Sequence, residues 1–81
     1  MLSILRMDIR RLLGANMRRY RLQAGLSQEA VAERMGVDRA YVSAAERGLQ
    51  NLTLLKVWEA AQALEVRPAA LLDESVMKDG T

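Results

Sequence analysis

Apolar residues recur along this chain every three or four positions, the period of helices packed on one face. Five helical segments follow. Ile9, Leu13, Met17 and Tyr20 share one face of a segment from about Asp8 to Gln23, with Arg10, Arg11, Arg18, Arg19 and Arg21 on the rest and Gly25 as its stop. The second runs from about Gln28 to Met35, with Ser27 as N-cap and Glu29 in the first turn, where the helix dipole favours an anion. Val31, Ala32 and Met35 form its apolar face, and Gly36 suits a left-handed turn residue. The third spans about Arg39 to Arg47, capped by Asp38, packed through Tyr41, Val42 and Ala45, and ended by Gly48. The fourth, about Leu54 to Leu64 behind the Thr53 cap, carries the stripe Leu54, Val57, Trp58, Ala61 and Leu64, which predicts a core face. The fifth is short, with Pro68 at its first position and Leu71 and Leu72 inside. Residues 9–74 thus make one domain, preceded by an extension over 1–8 and followed by a flexible tail over 75–81.

Composition agrees with an all-α fold: hydrophobic residues are 51% of the 81, with no Phe, one Trp and one Pro. A domain of this size buries only roughly 60–65% of its unfolded surface, so packing must be efficient or a partner must help. Cysteine and histidine are both absent. That removes disulfides, zinc sites of the Cys/His kind and histidine-based triads. With no Gly-rich phosphate loop and no close carboxylate pair, the chain is not expected to be an enzyme or to hold a metal or cofactor. Its apolar runs are too short to span a membrane, and Met1–Leu5 is too short for a secretory signal, with Arg6 after it rather than before. The expected compartment is the cytoplasm.

The formal net charge is +2, but it is unevenly spread. Residues 1–48 hold nine arginines against five acids, and residues 49–81 hold three bases against five acids. Ten of the twelve bases are arginine, which suits bidentate contact with phosphate and guanine. A solvated arginine-rich surface has the same composition, and charge alone does not separate the two.

Two short helices joined by Gly36-Val37-Asp38 have helix-turn-helix spacing, a common arrangement. A wider string is more specific: Gly25-Leu26-Ser27-Gln28, Val31-Ala32, Gly36-Val37, Tyr41-Val42-Ser43, Glu46-Arg47-Gly48 and Ala63-Leu64-Glu65-Val66. Over roughly Leu12 to Glu74 it resembles the lambda repressor/Cro-like family, including the small XRE-type regulators. Asp38 to Ser43, Glu46-Arg47-Gly48 and Asn51-Leu52-Thr53-Leu54 resemble, more narrowly, the controller proteins of restriction–modification systems. The resemblance implies a compact five-helix lambda-repressor-like DNA-binding domain with a central helix-turn-helix. It implies that Gln28 bonds a phosphate and braces the reading helix, that Arg39, Ala40 and Ala44 face bases, and that Arg47 and Asn51 contact the DNA backbone. It also implies a buried Arg21–Glu46 pair tying the first helix to the third, and dimerisation through the fourth and fifth helices. Ala40 and Ala44 depart from relatives with long amides there, which leaves base readout mainly to Arg39, the alanines offering methyl contacts to thymine.

The residue types support several of these roles. Arg39 at a helix N-terminus opposes the dipole, so a plain surface role is unattractive and a guanine contact in the major groove gives it a reason. Ser27 and Gln28 sit at a helix N-terminus suited to phosphate, and Ser27 caps that helix in either case. Tyr41 suits either a phosphate bond or packing on the second helix, and Ser43 faces outward. Trp58 lies in the apolar stripe and reads as core. The expected partners are double-stranded DNA, a second copy of the chain related by two-fold symmetry, and RNA polymerase. The acidic, apolar C-terminal third, with Leu71 and Leu72, is the expected dimer surface. The competing class is a protein-interaction module on the same fold, an antitoxin or a regulator's partner, with DNA binding secondary.

Overall fold

The computed structural model describes residues 8–78. In order these form α1 (Ile9–Gln23), α2 (Gln28–Met35), α3 (Arg39–Glu46), α4 (Leu54–Leu64), a 3-10 helix (Pro68–Leu72) and the single-turn α5 (Ser75–Lys78). There is no strand among the described residues. The N-terminal extension lies outside them except for Asp8, as do residues 79–81 of the expected tail.

The helices begin where short polar side chains supply the missing backbone partner. The Asp8 carboxylate accepts from Arg10 N at 3.0 Å, Ser27 Oγ from Ala30 N at 3.0 Å and Thr53 Oγ1 from Lys56 N at 3.1 Å. Asp38 occupies the N-cap position of α3 with extended backbone but makes no side-chain cap bond. α2 ends on Gly36 at φ +72°, with Val37 N donating back to Ala32 O. α4 stops without a glycine: Glu65 takes φ +58°, and Val66 N donates to Ala61 O.

The core gathers Leu13 and Met17 of α1, Val31, Ala32 and Met35 of α2, Val42 and Ala45 of α3, four residues of α4 and Leu71. Gly14 lets α1 cross the end of α3 against the carbonyls of Ala45 and Glu46. Buried Asn16 ties α1 to the C-terminal segment, its Nδ2 donating at 2.9 Å to Leu71 O and at 2.9 Å to Asp73 O.

Several sequence expectations need correction. Ile9 is 57% exposed, because it opens α1 and precedes the turns that pack; Leu12 is buried instead. On α4 the buried face is Ala60, Ala61, Ala63 and Leu64, whose small side chains let α4 approach α2 and the 3-10 helix. Leu54 and Trp58, expected in the core, are 87% and 52% exposed. The third helix stops at Glu46, one residue short of Arg47, which serves as its C-cap. The expected fifth helix is a 3-10 turn. Beyond it, where fraying was expected from Ser75, α5 packs on α1 with Val76 buried.

Candidate nucleic-acid interface

Arg39, Ala40, Ser43, Ala44 and Arg47 fall within an arc of about 140° on α3 at 3.6 residues per turn. The opposite face, Val42 and Ala45, is buried against the core. Arg39, Ala40 and Arg47 are exposed, and Ser43 and Ala44 are half-buried. The small side chains allow close approach of a ligand, and the two arginines supply charge at either end. Among the described residues no carboxylate lies within ion-pair distance of Arg39 or Arg47. Arg47 Nε donates at 3.3 Å to Ser43 O, along the edge of its own helix.

The same helix is fixed at its last residue, on the flank of that face, by one carboxylate. Glu46 Oε2 accepts from Arg21 Nε at 2.6 Å, and Oε1 accepts from Arg21 Nη2 at 3.0 Å. The two side chains are only 11% and 4% exposed. Arg21 Nη1 donates at 3.0 Å to Leu26 O, just ahead of α2. The hydrogen bond to Glu46 raises the Arg21 pKa above its ordinary value. Gln28 Nε2 joins the same carboxylate at 3.1 Å. Sequence alone did not suggest this last bond. It leaves the second amide hydrogen and the carbonyl oxygen of Gln28 for a ligand. Ser27 Oγ accepts from Ala30 N and keeps its own hydrogen to donate.

Tyr41 is half-buried and packs on the core. Lys56 Nζ donates to Glu59 Oε1 at 2.8 Å, which raises the ammonium pKa. Asn51 is exposed in the loop between α3 and α4.

Leu71 and Leu72 part company. Leu71 has no exposed surface, filled in by its own core, and has nothing to offer a second chain; Leu72 is 46% exposed. A different apolar surface stands out: Leu54, Leu55, Val57, Trp58 and Pro68 line one shallow hollow, and Leu55 is 63% exposed. Its signal in the sequence is that apolar residues run all the way round α4, which one buried face cannot absorb.

The helix-turn-helix family profile matches residues 17–71, which contain the whole lock and the exposed α3 face. The chain belongs to the XRE-type helix-turn-helix family. This XRE-type chain is 44% identical over 66 residues to the HTH-type transcriptional regulator y4dJ of Sinorhizobium fredii, covering 82% of this chain and 86% of that one. Its fold is similar to the restriction-modification controller protein C.AhdI from Aeromonas hydrophila, with a TM-score of 0.74, 39% identity, and coverage of 76% and 94% of the two chains. It is similar also to the controller C.Esp1396I, solved as a tetramer in complex with its natural 35 base-pair operator, at TM-score 0.74, 28% identity, and coverage of 88% and 92%. XRE-type proteins are DNA-binding transcriptional regulators rather than enzymes. Among the described residues no group of three or more acids could hold a metal ion, and no helix is long and apolar enough to cross a membrane.

Proposed function

We propose that this XRE-type protein is a sequence-specific regulator of transcription that binds a (pseudo)palindromic operator in double-stranded DNA as a homodimer, as a restriction–modification controller would. The observation that carries this reading is the α3 face: Arg39 and Arg47, neither paired with an acid, around small residues, on a helix locked at its last residue through Glu46. A rigid helix with a cationic, low-relief face suits the major groove, and Arg39 at its first turn suits a bidentate bond to guanine. On this reading Ser27, Gln28, Asn51 and Tyr41 suit phosphates, and Ser43 lies within the face between Arg39 and Arg47. The controllers among the relatives, one of them solved on its operator, support the class. The apolar hollow of Leu54, Leu55, Val57, Trp58 and Pro68, together with exposed Leu72, supports a two-fold dimer, because a chain this small gains from covering them. On this reading the protein works in the cytoplasm with its DNA, and RNA polymerase is the machinery on which the bound dimer acts.

Site selection from random duplexes, followed by paired titrations on the selected site and on random DNA, tests it. Arg39→Ala should cost about 1–3 kcal/mol per half-site and collapse the ratio of specific to random affinity. Arg47→Ala should weaken both together and keep the ratio. A wild-type ratio in Arg39→Ala would remove Arg39 as the reader and shift specificity to Tyr41, Ser43 or the deformability of the DNA.

A further inference from the structure

Five arginines and no acid lie on α1, and they meet different fates. Arg10 Nη2 donates at 2.7 Å to Asp8, whose carboxyl is held down at about 2 chiefly by the hydrogen bonds from that side chain. Arg21 is consumed by Glu46. Arg19 lies over the Tyr20 ring, 6.0 Å from its centroid. Arg11 and Arg18 are exposed, and among the described residues no carboxylate comes within ion-pair distance of either. Seven residues apart, they share one face of α1 and stand about 10 Å apart along its axis.

That face flanks the end of the reading helix. Gly14, between the two arginines in sequence, touches the carbonyls of Ala45 and Glu46. Gly48, the residue after Arg47, turns back at φ +77° directly onto Arg11, so closely that a β-carbon there would lie 2.8 Å from Arg11 Cγ. The aliphatic stem of Arg11 thus packs against Gly48, the residue after Arg47, while Arg11 as a whole stays exposed.

We propose that Arg11 and Arg18 continue from Arg47 as a second line of contacts to the sugar-phosphate backbone, so that the protein grips duplex DNA beside the half-site that α3 reads. This rests on α3 being the DNA-reading helix. Charge identifies the occupant: a duplex strand carries a phosphate at every nucleotide, so two guanidinium groups about 10 Å apart can each reach a phosphate of one strand. Neither arginine carries sequence information in this role; both add affinity and salt dependence.

The test is titration of random-sequence duplex DNA over a series of salt concentrations. It compares the wild-type protein, the double variant Arg11→Gln/Arg18→Gln, and Arg67→Gln, an exposed arginine ahead of the 3-10 helix. Glutamine keeps the stem against which Gly48 packs. Each lost phosphate contact lowers the slope of log affinity against log salt by about 0.9, so the double variant should lose about 1.8 per protomer while Arg67→Gln keeps the wild-type slope. A double variant with the wild-type slope overturns the inference and leaves α3 as the reader. An equal loss in Arg67→Gln overturns it too, since bulk charge would then explain the effect. A wild-type protein that binds duplex DNA without salt dependence overturns both this inference and the proposed function, and points to an acidic protein as the ligand of the basic face.

Discussion

A β-carbon at residue 14 would run into the carbonyl oxygen of Ala45 and come within 2.7 Å of that of Glu46. Both obstacles are backbone, so no side chain can swing away to make room. In an exposed helix Gly→Ala would be favourable by about 1 kcal/mol. Here α1 and α3 would have to part, which costs about 1–3 kcal/mol as overpacking does elsewhere. Gly14→Ala should therefore lower the denaturant midpoint, and a raised midpoint would mean that the crossing is looser than described. The glycine is visible in the sequence, but the reason for it is not. Nothing in residues 9–23 states that another helix's carbonyls will lie across position 14. Arg39 and Arg47 differ from it: one opens the eight-residue α3 and the other is its C-cap, a local placement that the sequence locates, while only packing states that no acid reaches them.

Elements are held to one another here by few polar contacts. The Arg21–Glu46 pair spans 25 residues and joins α1 to the last turn of α3, with Gln28 bringing in the start of α2. Truncating Glu46 leaves a guanidinium that is 11% exposed facing only Leu26 O. Breaking a buried pair from one side typically costs about 3–5 kcal/mol, a large part of the total for a small domain. Glu46→Ala should thus be far more damaging in chemical denaturation than Gln28→Ala, which removes one hydrogen bond worth about 1 kcal/mol to stability. Equal, small losses in the two variants would show that the network does not brace α3. α4 teaches a different lesson. Its boundaries follow from Thr53 and from periodicity, but its apolar residues encircle it, and periodicity does not say which arc meets the core. The alanines took that place because α2 and the 3-10 helix approach closely, and Trp58 was left outside.

For the whole molecule, the unbalanced feature is the exposed apolar area: the hollow lined by Leu54, Leu55, Val57, Trp58 and Pro68, and Leu72 on the 3-10 helix. If the two-fold contact takes in Leu72 as well as the hollow, Leu72→Asp places an unpaired charge in it and sedimentation should report the monomer mass. The single tryptophan gives an independent readout. Trp58 emission of the wild-type protein should move to shorter wavelength as concentration rises through dimer formation, and Leu72→Asp should lose that dependence. An unaltered dimer mass and emission in the variant would relocate the contact.

The amino-acid sequence by itself determined what depends on neighbours a few positions away. Capping side chains, glycine stops and apolar period set the bounds of α1 to α4, and the string from Gly25 to Val66 carries the family resemblance. Tertiary structure alone decided which of several apolar arcs became the core, that Leu71 would be buried and Leu72 left at the surface, and that Val76 would dock instead of fraying. It also decided which arginines would be paired with acids and which left open. Those outcomes depend on the simultaneous approach of segments up to 57 residues apart, as in the Asn16 bond to Asp73, and no local pattern encodes the distance between them.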